Sequence, residues 1–279
     1  MNDQISSQQQ KVPFFLIQFI DHVGNRTLHW LYEIGSASIL VFKTLALLFV
    51  PPFQLRLLVR QLFLIGVNSL PVVLITGVFT GLVLATQGYD QLRELSAEGS
   101  VGRFVSVSVI KELGPMVTAF VLAGRIGASI TAELGTMKVT EQIDALEVMA
   151  TNPVKYLVVP RFLACAIMLP ILTVFSTVFG IGGGYFGAVY LFGMNGRFYI
   201  KQARSYMYIM SIIISLIKAS AYGMAIASIG CYKGFTISSA DGAEGVGKAT
   251  TGSAVTSLVI ILVLDFFLNH LLFTVLQLK

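Results

Sequence analysis

The stretch QLFLIGVNSLPVVLITGVFTGLVLATQGY, Gln61 to Tyr89, holds no charged residue between Arg60 and Asp90. As a helix rising about 1.5 Å per residue it exceeds the roughly 30 Å hydrocarbon core of a bilayer, so Leu62–Tyr89 reads as a membrane span. Working outward, a second span runs from about Phe104 to Thr131, interrupted by Lys111, Glu112 and Arg125. The third occupies the uncharged run Phe162 to Asn195, which is long for one upright crossing. Pro170 and a glycine cluster there allow a kink or tilt, with a re-entrant hairpin as the alternative. A fourth span, about Tyr206 to Cys231, surrounds a lone Lys218, and a fifth, about Ala254 to Leu278, surrounds a lone Asp265. The expected fold is therefore an all-α integral membrane protein with five transmembrane helices.

Composition agrees. Of 279 residues, 55% are apolar and 12% charged, against roughly 25% charged in soluble domains, and the mean hydropathy is +0.80. The net charge of +5 comes from 19 basic residues scattered singly, which excludes a nucleic-acid footprint and indicates a membrane-surface bias. Cys165 and Cys231 lie in or at the edge of apolar runs, so no secreted disulfide framework is indicated. Met1 to Gln10 is polar without a basic residue and shows no secretory signal pattern.

Residues 1–11 read as a disordered N-terminus, 12–60 as an interfacial amphipathic region and 61–279 as the five-span domain. Val12 to Tyr32 mixes Phe14, Phe15, Ile17, Phe19, Ile20 and Trp30 with Asp21, His22, Arg26 and His29, a pattern that fits a helix lying in the interface. Five spans place the termini on opposite sides. Lys and Arg counts in the flanks favour a cytoplasmic N-terminus and a periplasmic C-terminus, since Lys138, Lys155, Arg161, Lys233 and Lys248 then fall inside.

Two nucleotide-like motifs lack their required context. Gly182, Gly184 and Gly187 match G-x-G-x-x-G but sit inside a span, where Gly180-x-x-x-Gly184 and Gly183-x-x-x-Gly187 instead form ridges for close helix packing. Gly242 to Lys248 reads GAEGVGK, yet Ala249 replaces the Mg²⁺-binding hydroxyl and no apolar strand precedes it. The segment from about 232 to 253 is accordingly expected to be a cytoplasmic loop without its own ATPase. His22, His29 and His270 are too dispersed for a metal or triad set.

The most informative charged segment is Thr131 to Pro153, TAELGTMKVTEQIDALEVMATNP. Thr140 is placed to cap a helix whose first turn holds Glu141 and Asp144, and Asn152-Pro153 stops it. Ile143, Leu146, Met149 and Ala150 share one face, and Glu141, Asp144 and Glu147 another. An amphipathic connector at about 132–152 is what a permease needs to receive a push from a motor subunit. A solvated connector lying on the membrane is the alternative.

The longer run KELGPMVTAFVLAGRIGASITAELGTMKVTEQIDALEVMATNP, Lys111 to Pro153, resembles the signature region of the MlaE/YrbE permeases, the membrane subunits of MCE-associated lipid-transport ABC systems. GVFTGLVLATQGY (Gly77 to Tyr89) and GVGKATTGSAV (Gly245 to Val255) are similar to that family's first span and last cytoplasmic loop. The resemblance covers the chain from about residue 35. It implies an inner-membrane homodimer carrying phospholipid between two membranes and maintaining outer-membrane lipid asymmetry. It also implies two ATPase subunits holding the ATP and Mg²⁺, a hexameric MCE ring and a STAS-domain protein. No cofactor is expected on this chain, and no catalysis.

An intramembrane charge costs on the order of 2.5–3.5 kcal/mol on insertion scales and so faces a cavity or a partner. Lys218 with Asp265 as a buried ion pair, and Lys111 with Glu112 snorkelling to the interface, is one reading. The resemblance favours another, a periplasm-facing lipid cavity in which Lys111, with Glu112 nearby, meets a phosphate and Leu82, Leu84 and Tyr89 line the tail region. Arg125 reads as an interfacial anchor, or as a strut holding the connector through Glu133; the coupling set is then Glu133, Thr140, Glu141, Ile143, Asp144 and Leu146. An ion-coupled secondary transporter using Lys218 and Asp265 is the alternative function, although no inverted repeat is evident.

Overall fold

The computed structural model describes residues 14–48, 50–51, 54–205 and 207–275. Residues 1–11, expected to be disordered, lie outside the described residues. Among the described residues eleven α-helices follow in order: α1 Phe14–Leu47, α2 Leu55–Gly66, α3 Leu70–Glu94, α4 Val101–Ser108, α5 Gly114–Leu122, α6 Ala128–Val139, α7 Gln142–Val148, α8 Val159–Phe186, α9 Gly196–Ser205, α10 Ile209–Phe235 and α11 Gly242–Asn269. Several run on into one another through short 3₁₀ or π segments, and among the described residues five continuous stretches are long and apolar enough to cross a membrane: Leu55–Glu94, Glu98–Val139, Val154–Leu191, Ile209–Phe235 and Ser239–Leu272.

Lipid offers no hydrophobic drive to bring spans together, so they associate through close packing and hydrogen bonds. The tightest junction is α3 against α8, which run in the same direction. A Cβ on Gly81 would overlap the Gly180 carbonyl oxygen, and one on Gly183 would overlap that of Val78. The glycine ridge read from the sequence is thus a backbone-to-backbone seam, and its partner is a small-residue row on α3, Gly77, Gly81 and Ala85. On its other side α8 meets α10, which carries α6 and α11. Thr131 ties α6 to α10 by donating to the Gly230 carbonyl at 3.0 Å.

Two apolar clusters sit at opposite ends of this bundle. The larger, with Leu122, Phe162, Leu169, Tyr222 and Ile226, extends to Ile143 on α7; the smaller, with Ala85, Val101, Val105 and Tyr199, lies under α9.

The uncharged third stretch is a long span with Pro170 inside its helix, as read, and the re-entrant alternative falls away. Two local expectations change. The expected loop at 232–253 is mostly helix, because α10 continues to Phe235 and α11 starts at Gly242; GAEGVGK forms its first two turns. The single connector helix at 132–152 is two pieces. Helix α6 continues the second span to Val139, and α7 is a separate short helix flanked by left-handed residues, Glu141 at φ 59° and Ala150 at φ 57°.

Candidate functional site

Within the second span the sequence KELGP breaks regular helix. Pro115 has no N–H to give the Lys111 carbonyl four residues back, and Val109–Leu113 adopts a π segment, a form found often at functional sites. The freed carbonyl is taken by Lys218 of α10, whose ammonium donates to it at 3.2 Å. Lys218 is fully buried and also meets Glu112 at 2.7 Å and Asp265 at 2.7 Å. Asn269 accepts from Lys218 at 3.0 Å and donates to Glu112 at 3.1 Å, and the Tyr222 hydroxyl donates to Asp265. Spans two, four and five are thereby joined through one cation shared by two carboxylates.

Lys218 and Asp265 form the ion pair read from the sequence. Glu112 does not snorkel away with Lys111, because the π segment turns it onto Lys218. Asn269, Tyr222 and the Lys111 carbonyl were not identified from the sequence; Pro115 is the residue that could have flagged the carbonyl. The cluster is not sealed: the Glu112 side chain is 39% exposed, against 15% for Asp265 and 0% for Lys218.

The remaining residues assigned to a lipid cavity do not gather around Lys111 within one protomer. Lys111 is half-buried, at the level where Val109 touches Gly180. Tyr89 stacks on Phe192, with ring centroids 4.2 Å apart, at the far end of α3, and there Gly88 faces Phe104. Phe104 precedes Lys111 by seven residues, on the order of 10 Å along a helix. Leu84 packs with Tyr89 on the smaller cluster and Leu82 borders Gly187.

At the opposite end, Glu133 pairs with Arg161 of α8 at 2.9 Å, not with Arg125, which donates to Ser69 at 2.7 Å. Thr140 does not cap α7. It ends α6, its hydroxyl donating to the Thr136 carbonyl at 2.8 Å, because the second span continues past the point where a new helix was expected. Asp144 is held by Lys138 at 2.6 Å, leaving Glu141 exposed. Ile143 is 2% exposed and belongs to this chain's own core, so it cannot be the contact for a partner; Leu146 is half-buried against the same core. The large apolar residues that α7 and its exit turn present outward are Val148, 88% exposed, and Met149, 66% exposed.

A family model described as "Permease MlaE" matches residues 58–271. The chain is 41% identical over 260 residues to a probable ABC transporter permease protein of Rickettsia felis, covering 93% of this chain and 100% of that protein. It is 36% identical over 261 residues to the intermembrane phospholipid transport system permease protein MlaE of Haemophilus influenzae, covering 92% and 98%. A probable ABC transporter permease protein of Synechocystis is 40% identical over 214 residues, covering 77% and 81%.

Proposed function

From the premise that this chain belongs to the MlaE permease family and is a multi-pass ABC transporter permease, we propose that it moves phospholipid between the inner and outer membranes. Transport here would maintain outer-membrane lipid asymmetry. The observation that carries the reading is the half-open charge cluster in mid-span. A carboxylate facing hydrocarbon is costly, yet Glu112 is 39% exposed. Its open side faces water or a polar headgroup when a second copy closes the bundle into a homodimer, forming a cavity toward the periplasm. Lys111, the neighbouring cation, meets the phosphate, and Leu82, Leu84 and Tyr89 line the path of the tails higher in the cavity.

The chain carries no motor of its own in this reading. Two ATPase subunits holding ATP and Mg²⁺ dock at α7 through Val148 and Met149, flanked by Glu141 and Glu147. Ile143 and Leu146 anchor α7 to the bundle behind that surface. The push passes through Lys138–Asp144 into α6 and through Glu133–Arg161 into α8. Because α6 continues the second span, the same movement shifts Glu112 relative to Lys218 and Asp265. A hexameric MCE ring, and the STAS-domain protein implied by the sequence resemblance, complete the assembly. The N-terminus and α7 lie in the cytoplasm, and α9 and the C-terminus in the periplasm.

The test is lipid transfer by the purified complex in vesicles, with and without ATP and with a protonophore. Transfer that needs ATP and survives collapse of the proton gradient supports the reading. Transfer driven by the gradient without hydrolysis would establish the ion-coupled alternative.

A further inference from the structure

We infer that the chain holds a second lipid site, outside the charge cluster, in a slot between α8 and α9 that takes an anionic phospholipid from the leaflet on the α9 side. Assigning that leaflet to the periplasm rests on the orientation proposed above; the site itself does not.

The glycine run of α8 contains one member that helix packing does not use. Gly180, Gly183, Gly184 and Gly187 all press against neighbouring helices, whereas a Cβ on Gly182 would meet nothing within 4 Å. Gly182 instead floors an open slot of about 460 Å³, walled by Ile181, Tyr185, Ile200, Ala203 and Met207. Its back is rigid. Tyr199 is 1% exposed and its hydroxyl donates to the Ile181 carbonyl at 3.3 Å, while Tyr185 sits edge-on to it. The walls are almost wholly apolar, suited to an acyl chain.

The mouth has the opposite character. Arg204 borders the slot, and Arg197, Lys201 and Arg204 line an adjoining groove with Ile200. Their spacing of four and three residues puts them on one face of α9. All three are exposed, α9 has no acidic residue, and among the described residues none of the three forms an ion pair. Helix α9 follows directly on the end of the third span and precedes the fourth, which places it at headgroup level. An apolar slot with cations at its rim complements one molecule class, a lipid with an acyl chain and a negatively charged phosphate headgroup.

The experiment uses the whole complex in vesicles of phosphatidylethanolamine doped with a phosphatidylglycerol that carries a photoactivatable group on its acyl chain. Label is expected in the peptides containing Ile181–Tyr185 and Ile200–Met207. Gly182→Trp fills the slot without a backbone clash and lowers that label about tenfold. Replacing Arg197, Lys201 and Arg204 together with Gln lowers it at least tenfold, since each basic residue near an anionic surface contributes on the order of a fivefold preference. A photo-crosslinking residue at position 82, on the proposed tail path and outside the charge cluster, reports the transport cavity separately, and its labelling is expected to be unchanged in both variants. Undiminished slot labelling in Gly182→Trp overturns the site. So does labelling indifferent to the loss of the cations, or capture of a protein subunit in place of lipid at the slot.

Discussion

Replacing Lys218 with Met leaves two carboxylates, Glu112 and Asp265, without the cation each meets at 2.7 Å, and leaves Asn269 and the Lys111 carbonyl without a donor. Removing one partner of a buried ion pair costs about 3–5 kcal/mol, and at about 2–4 °C per kcal/mol for a chain of this size the melting temperature falls by roughly 6–20 °C. Asp265→Asn is milder, because Glu112 still neutralises Lys218. Neutralising all three positions (Lys218→Met, Glu112→Gln and Asp265→Asn) is expected to recover most of the lost stability, since apolar or neutral replacements of a buried charge set are often tolerated. The assay pairs thermal unfolding of the detergent-purified protein with ATP-dependent lipid transfer. In the triple variant stability returns and transfer does not, because the cavity has lost the charged wall that Glu112 presents beside Lys111. A triple variant that regains both reduces the cluster to scaffold and removes the basis of the proposed cavity, and a Lys218→Met protein that melts with wild type refutes the reasoning about burial.

Gly81→Leu is expected to abolish monodisperse protein on gel filtration, because its first side-chain carbon already overlaps the Gly180 carbonyl, whereas Gly182→Ala leaves the elution profile unchanged. Replacing Val148 and Met149 with Ser should release the ATPase in a pull-down while the permease stays inserted, and Ile143→Ala should instead lower thermal stability by about 2–5 kcal/mol as a core truncation. Charge reversal at Glu141 and Glu147 by Lys should weaken the same pull-down, and unchanged capture rules out docking at α7. Lys248→Ala should leave ATP hydrolysis by the complex intact, since Lys248 is 78% exposed and pairs with Glu244 one turn earlier; loss of hydrolysis would reopen the G-x-x-x-x-G-K match as a nucleotide site.

The number of spans and their approximate positions were legible in the sequence. Bilayer thickness imposes a local length of apolar residues, and that constraint can be read along one dimension. Lys218 and Asp265 stood out for the same reason, each a single charge in an otherwise apolar run. Which groups meet was decided only in three dimensions. Glu112 joins Lys218 because the proline-broken helix turns it there, and Glu133 finds Arg161 because α8 lies alongside α6. Thr140 had the local signature of a helix start, but a hydroxyl serves either end of a helix, and continuation of the second span assigned it to the end of α6. Ile143 and Met149 are equally apolar in the sequence; the packing of α7 on the bundle buries the first and exposes the second. The glycine run announced close contact without naming its partner or its odd member. A small residue only permits approach, and the tertiary structure determines which neighbour comes near.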